Sequence, residues 1–232
     1  RSLGARSVLA DPRKIENKAK VNQLLKKREW FMPYAPSILA EKMNFFFKNP
    51  FQSPYMSYAM KIKKNNSKIA AAVHVDKTCR PQTVSKLDNQ KFYRLIKYFY
   101  KLTGVPAILN TSFNRHGIAT IVTPRQAIEH LLNGNIEILV IENIIVFRKQ
   151  ILNLKSKKPL KEKYYIFVEK IIHIIEAMLN NDKDKYKILN QNLNLLKKNN
   201  INFEFKKKLI VINKKKIKIK NLNRDDLWKM LI

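Results

Sequence analysis

Residues 106–114 read P-A-I-L-N-T-S-F-N. A short apolar run, Ala107-Ile108-Leu109, ends in Asn110, Thr111, Ser112 and Asn114, which supply amide and hydroxyl groups in close succession. A buried strand that ends this way delivers small hydrogen-bonding groups to one point. In α/β proteins, ligands bind beyond the carboxyl ends of strands. Residues 74–82, H-V-D-K-T-C-R-P-Q, form a second cluster. Read as a strand with alternating side chains, this cluster puts His74, Asp76, Thr78, Arg80 and Gln82 on one face. Val73, Val75 and Cys79 take the other. The bland reading is a solvated edge strand. The functional reading rests on the mixture of imidazole, carboxylate, hydroxyl and guanidinium, and periodicity alone does not decide between the two.

Cations are plentiful upstream: Arg1, Arg6, Arg13, Lys26, Lys27 and Arg28. Arginine forks suit bidentate recognition of phosphate or carboxylate. Together with neutral donors at strand ends they suit an oxyanion such as a phosphate. Only four glycines occur in the whole chain, so no glycine-rich phosphate cradle is available. His74, His116, His130 and His173 are isolated and show no metal-ligand spacing. The lone cysteine, Cys79, has no obvious base beside it and reads as a packed thiol.

Several elements must position these groups. Residues 14–27 are helix-like, with Ile15, Ala19 and Asn22 recurring at helical spacing. Pro33 and Pro36 make 29–36 turn-rich. Residues 37–47 read as a short helix, Tyr55–Lys61 as a strand, and Ile69–Val75 as a buried strand. Asp88–Tyr100 reads as a helix with Phe92, Leu95, Ile96 and Phe99 on one face, ended at Gly104. Thr123-Pro124 opens another helix, a threonine cap followed by a first-turn proline. Ile138–Ile141 and Ile144–Phe147 read as a buried hairpin. Alternating helices and strands argue for an α/β layered domain over 1–150. Residues 151–232 hold 20 Lys and 12 Asn, a shift in composition that marks a small appended α+β module. In it Tyr164–Leu179 is helix-like, and Ile201–Phe205, Leu209–Ile212 and Ile217–Ile219 are strand-like.

The chain of 232 residues is 45% hydrophobic, enough for a core. No apolar run approaches the roughly 18–20 residues of a membrane span. A single cysteine fits a reducing, cytoplasmic compartment. The chain opens at Arg1 without Met or an apolar leader, so the expectation is a piece of a longer protein. Its 47 Lys and Arg against 17 Asp and Glu give a net charge of +30. Such a field attracts polyanions. The charge is spread along the chain, however, and no single stripe stands out. Compositional drift is therefore the favoured reading and nucleic-acid binding the minority one.

Seven segments in order carry a resemblance. They are R-S-L-G-A-R-S-V-L-A-D-P-R at the start, K-K-R-E-W-F-M-P-Y-A-P, S-P-Y-M, H-V-D-K-T-C-R-P-Q-T-V, F-Y-R-L-I, T-G-V-P-A-I-L-N-T-S-F-N and T-P-R-Q-A-I. Over residues 1–149 the chain resembles the C-terminal, YrdC-like domain of the O-carbamoyltransferases, which include the nodulation-factor, cephalosporin and tobramycin carbamoylating enzymes. The resemblance implies a twisted mixed sheet flanked by helices. It implies a domain that takes carbamoyl phosphate and ATP, with Mg2+ on the nucleotide, and forms carbamoyl-adenylate. A metal-holding Kae1-like N-terminal domain, in cis or in trans, would pass the carbamoyl group to an acceptor hydroxyl in a biosynthetic pathway. By the same resemblance Arg1, Lys26, Arg80 and Ser112 grip carbamoyl phosphate, and Lys27 is the alternative to Lys26. Asn110 and Thr111 line the pocket, and His74 and Asp76 match motif positions. The chain departs from the family pattern at Met32, at Lys77 and at Gly117-Ile118-Ala119. The competing reading is a non-catalytic basic module of the same fold that binds RNA or another polyanion.

Overall fold

The computed structural model describes residues 2–29, 31–63, 67–133, 136–141, 144–148, 203–206 and 209–212. They fall into two compact units, divided between Ile121 and Val122.

The first unit is built on a four-stranded sheet. Its strands are β1 (Ser7–Ala10), β2 (Ala35–Leu39), β5 (Gln82–Val84) and β6 (Ala107–Ser112), in the order β1-β6-β2-β5. β6 lies antiparallel to both β1 and β2, and β2 lies parallel to β5, so the sheet is mixed. The register pairs Ser112 with Ser7, Asn110 with Leu9 and Ala35, Ile108 with Ser37, and Ser37 with Gln82. These residues therefore share one face, and Leu109 and Thr111 lie on the other.

The helix α2 (Gln90–Thr103) packs on β2 and β6. Its apolar spacing brings Phe92, Leu95, Ile96 and Phe99 into a buried cluster with Leu39, Val84 and Ile108. The Asn89 side chain caps its start by accepting from the Phe92 N–H at 3.1 Å. Gly104, at φ +70°, ends the helix in the left-handed conformation that glycine adopts without strain. A second cluster joins Tyr34, Ala71, Ala72 and Leu109, with Ala10 and Val21 against it. It lies under α1 (Ile15–Lys20), the π-helix Val21–Lys26 that continues α1, and a 3-10 helix over Ser67–Ala72. A short pair, β3 (Met60–Lys61) with β4 (Thr78–Cys79), completes the unit.

The second unit holds α3 (Pro124–Asn133) and a sheet of order β7-β8-β10-β9. Its strands are β7 (Ile138–Ile141), β8 (Ile144–Phe147), β9 (Phe203–Lys206) and β10 (Leu209–Ile212). At the start of α3, Thr123 Oγ1 accepts from Gln126 N–H and Gln126 Oε1 accepts from Thr123 N–H, a reciprocal cap. β8 pairs parallel with β10, so this sheet takes two strands from each side of residue 150. The expected helix Tyr164–Leu179, the strand Ile217–Ile219 and His173 lie outside the described residues.

Four local expectations are corrected. Ile69–Val75 is not a strand: Ser67–Ala72 forms a 3-10 helix whose Ile69, Ala71 and Ala72 are buried. A short apolar run satisfies a buried helical turn as well as a buried strand. Residues 37–47 split into the end of β2 and a 3-10 helix, Ala40–Phe45. Of Tyr55–Lys61 only Met60–Lys61 is strand. Residues 74–82 do not alternate as one strand. Asp76 Oδ1 accepts from the Thr78 N–H and hydroxyl, and Lys77 takes φ +62°. This turn throws Val75 out to 88% exposure, while Cys79 is fully buried.

Candidate active site

The polar end of β6 meets the end of the π-helix. Lys26 is 3% exposed, and its ammonium donates to the Ser112 carbonyl, to Ser112 Oγ at 3.0 Å and to Asn114 Oδ1 at 2.6 Å. Ser112 Oγ donates to Asn114 Oδ1 at 2.6 Å. Burial, and secondarily the charge of Arg28, pulls the Lys26 pKa down to about 8. The ammonium is thus held by neutral dipoles alone among its described partners. An anion brought to it would supply the missing opposite charge.

The loop after the π-helix aims Lys26. Lys27 takes φ +51°, the left-handed turn that ends the helix, and is exposed. Of the two lysines, Lys26 is the one that reaches Ser112. His116 N–H donates to the Lys26 carbonyl at 3.0 Å, tying the two loops together. Buried Asn22 anchors the segment, because its Oδ1 accepts from Tyr34 OH at 2.6 Å and Arg28 Nε at 2.7 Å. The Arg28 guanidinium also lies 4.2 Å over the Tyr34 ring. Burial pushes the Tyr34 hydroxyl up to about 12, so it remains a donor.

Asn110, two residues before Ser112 on the same sheet face, is 1% exposed. Its amide nitrogen donates to Ser37 Oγ at 2.9 Å and Gln82 Oε1 at 3.2 Å, and Ser37 Oγ donates to Gln82 Oε1 at 2.7 Å. Three strands thus contribute one buried polar network. Asn110 Oδ1 is left without a donor. Thr111 points to the opposite face, paired with Val8.

His74, Asp76 and Arg80 form a second group. Thr78 links the first two, sitting 3.2 Å from His74 Nδ1 and 2.7 Å from Asp76 Oδ1. The Thr78 hydrogen bonds hold the exposed Asp76 carboxyl below its usual range. Partial burial lowers the His74 pKa; the Arg80 and Lys18 charges add to this, and Asp76 opposes it. Arg80 itself is exposed. Arg1 lies outside the described residues. Burial drives the Cys79 thiol up to about 12, which removes the nucleophilic thiolate at neutral pH. Among the described residues, no group of three or more His, Cys, Asp or Glu is placed to hold a metal ion.

Sequence reasoning passed over three contributors: Ser37, Gln82 as a member of the Asn110 network, and Asn114 as the partner of Lys26. Asn114 lies in the bend just past β6, where its N–H donates to the Ser112 carbonyl, so its role follows from a turn that the strand pattern does not report. Ser37 had no local signal either, because its role depends on strand order.

The geometry sets a buried lysine against the polar end of a strand in a mixed sheet, and comparison with known proteins identifies the family of the chain. Residues 1–148 match the family model described as Carbamoyltransferase C-terminus. The chain belongs to this carbamoyltransferase C-terminal family. It is similar to the uncharacterized protein MJ1051 of Methanocaldococcus jannaschii, 45% identical over 147 residues, which cover 63% of this chain and 28% of that protein. It is also similar to the nodulation protein NolNO of Sinorhizobium fredii, 39% identical over 153 residues, 64% of this chain and 22% of that one. The nodulation protein NolO of Bradyrhizobium diazoefficiens is 38% identical over 153 residues, 64% of this chain and 28% of that one. The chain spans about a quarter of the length of these relatives.

Proposed function

We propose that the chain is the carbamoyl-adenylate-forming part of an O-carbamoyltransferase, with a YrdC-like sheet. The observation that carries this reading is the buried Lys26 ammonium aimed at Ser112 in a chain of the carbamoyltransferase C-terminal family. Carbamoyl phosphate and ATP are both polyanions. The reading assigns Lys26 to phosphate charge, Ser112 and Asn110 to the carbamoyl oxygen and nitrogen, and Arg80 and Arg1 to further phosphate contacts. His74 and Asp76 shape the Arg80 side of the site, and Thr111 supports the strand end. Mg2+ bound to the nucleotide would supply further charge neutralisation at its phosphates.

The chemistry balances as carbamoyl phosphate, ATP and one water giving carbamoyl-adenylate, pyrophosphate and inorganic phosphate. Water first cleaves carbamoyl phosphate, breaking its bond to phosphate and giving carbamate and inorganic phosphate; a carbamate oxygen then bonds to the α-phosphorus as the bond to pyrophosphate breaks. The residues contribute by holding the reactants in line and by stabilising charge that develops on phosphoryl oxygens. Transfer to an acceptor hydroxyl is assigned to a Kae1-like domain in cis or in trans.

The test is pyrophosphate release from ATP–Mg2+ in the presence and absence of carbamoyl phosphate. Release needs both reactants, and Lys26→Ala and Ser112→Ala each lower it by about 100-fold or more, as loss of one charge-stabilising donor does. If the chain releases no pyrophosphate, alone or with a Kae1-like domain added, the reading is overturned.

A further inference from the structure

The outward side of α2 presents a feature that the proposed reaction does not use. Arg94, Lys97 and Lys101 follow Gln90 at steps of four, three and four, so they line one side of the helix over three turns. All four are exposed. Lys86 extends the row beyond the helix start, and the side chains border a shallow groove of roughly 340 Å3. Tyr93 and Tyr98 form its walls and are half-buried. Lys97 Nζ lies 5.8 Å from the Tyr93 ring centre and Lys101 Nζ 5.6 Å from that of Tyr98. The Tyr93 hydroxyl is occupied with Glu41 Oε1 at 2.6 Å, which fixes the ring. Among the described residues, no acidic side chain lines the groove.

Like charges at helical spacings of three and four repel one another, at a cost of a few tenths of a kcal/mol per pair. In a chain with 47 basic against 17 acidic residues an acid-free face is ordinary, so the rings, rather than the charge alone, single this face out. Here two rings flank the row, Tyr93 beside Lys97 and Tyr98 beside Lys101. A cationic groove that tracks a backbone, with rings on which bases stack, is the arrangement that binds single strands without reading their sequence. An acidic peptide would use the charge and leave the rings idle. An anionic membrane would call for apolar side chains reaching out of the groove.

We propose that the outer face of α2 is a binding surface for single-stranded nucleic acid, with Arg94, Lys97 and Lys101 on phosphates and Tyr93 and Tyr98 against bases. α2 packs on the sheet face that carries Ile108, Asn110 and Ser112, and its exposed side turns away from them, so oligonucleotide binding is read by itself, apart from pyrophosphate release.

The test is fluorescence anisotropy with a labelled oligouridylate of roughly 12 nucleotides, within the range such sites cover, at about 50 to about 200 mM salt. The triple variant Arg94→Gln, Lys97→Gln, Lys101→Gln is compared with Lys14→Gln, Lys48→Gln, Lys61→Gln. The second set removes the same charge from exposed positions on other elements. The α2 variant weakens binding at least about 30-fold and lowers the salt slope by about 2, the value for three lost phosphate contacts on a single strand. The control set weakens binding less than about 3-fold. Equal losses in both sets, or polyphosphate binding as tight as oligouridylate, overturn the proposal. So does binding of anionic vesicles with no binding of the oligonucleotide. Circular dichroism checks folding. Should the triple variant not fold, Lys97→Gln and Lys101→Gln taken singly each weaken binding about threefold, and no change in either overturns it.

Discussion

Lys26 sits in an environment that opposes what its side chain prefers. An ammonium in a buried site, held by a carbonyl, a hydroxyl and an amide oxygen, has lost hydration without gaining a counter-charge. Its pKa falls from the usual 10.5 to about 8. Because the folded value lies below the unfolded one, both states hold the proton below pH 8, and the cost of burying the charge is then fully present. Between about 8 and 10.5 the unfolded state binds more protons, so stability rises with pH through that window. Lys26→Met lacks this contribution. Urea unfolding at about pH 7.5, 9 and 10 should therefore show wild type gaining on the variant as pH rises, and a constant difference would contradict the assignment. Anion binding runs the other way. If the proposed function holds, affinity for carbamoyl phosphate should fall as pH passes about 8 in wild type, because a neutral amine no longer offsets the phosphate, and should stay level in Lys26→Met. Asn110 raises a separate question of strain. Its Nδ2 spans Ser37 and Gln82, while its Oδ1 is buried without a donor. Asn110→Ala should lower the unfolding free energy by about 1–3 kcal/mol, the range for breaking a buried hydrogen-bond network, measured by chemical denaturation. A change near zero would mean that the orphaned carbonyl already cancels what the amide gains.

At the scale of elements, the start of the chain is locked to the start of α2. A Cβ on Gly4 would run into the Phe92 ring, and Gly4 has φ +100°. Phe92 is itself buried at the centre of the core. Gly4→Ala should thus combine backbone strain with overpacking and cost about 2–4 kcal/mol. Gly104→Ala, at φ +70° with open space around it, should cost only about 1 kcal/mol. Urea midpoints of the two variants measure the difference, and equal losses would show that the Phe92 contact relaxes freely. The same contrast between local and long-range causes explains which elements could be read from sequence. The apolar face of α2, its stop at Gly104, the Thr123-Pro124 start of α3 and the β7–β8 hairpin all follow from neighbours within a few turns. The 74–82 segment misled because its alternation is real in sequence, but the Asp76–Thr78 turn breaks the pleat before it forms. The Lys26–Ser112 contact was legible only through the ordered motifs. Eighty-six positions separate the two residues, and no local pattern reports which lysine the left-handed turn at Lys27 turns inward.

At the scale of the whole molecule, the net charge is what stability must contend with. A net +30 on 232 residues sets up a self-repulsion that compactness makes worse. Among the described residues the ion pair is Arg13–Asp11, at 2.6 Å and partly exposed, and such pairs contribute little. Cation–π contacts place Lys42, Lys68, Lys97 and Lys101 over rings, which accommodates single lysines without reducing the net field. Repulsion over this range is screened on the length scale of the Debye length, which shrinks from about 30 Å at 0.01 M salt to about 8 Å at 0.15 M. Adding sodium chloride over that interval should therefore raise the melting temperature. The gain should come mainly below about 0.15 M, before effects specific to each anion take over. On the proposed function, sulfate at matched ionic strength should raise it further, because a divalent anion would also bind in front of Lys26. In Lys26→Met the chloride response should persist, while the extra increment from sulfate shrinks. Calorimetric or fluorescence melts across the series distinguish the two contributions. A melting temperature that falls with added chloride would show that attractive pairs, rather than the net positive field, control stability.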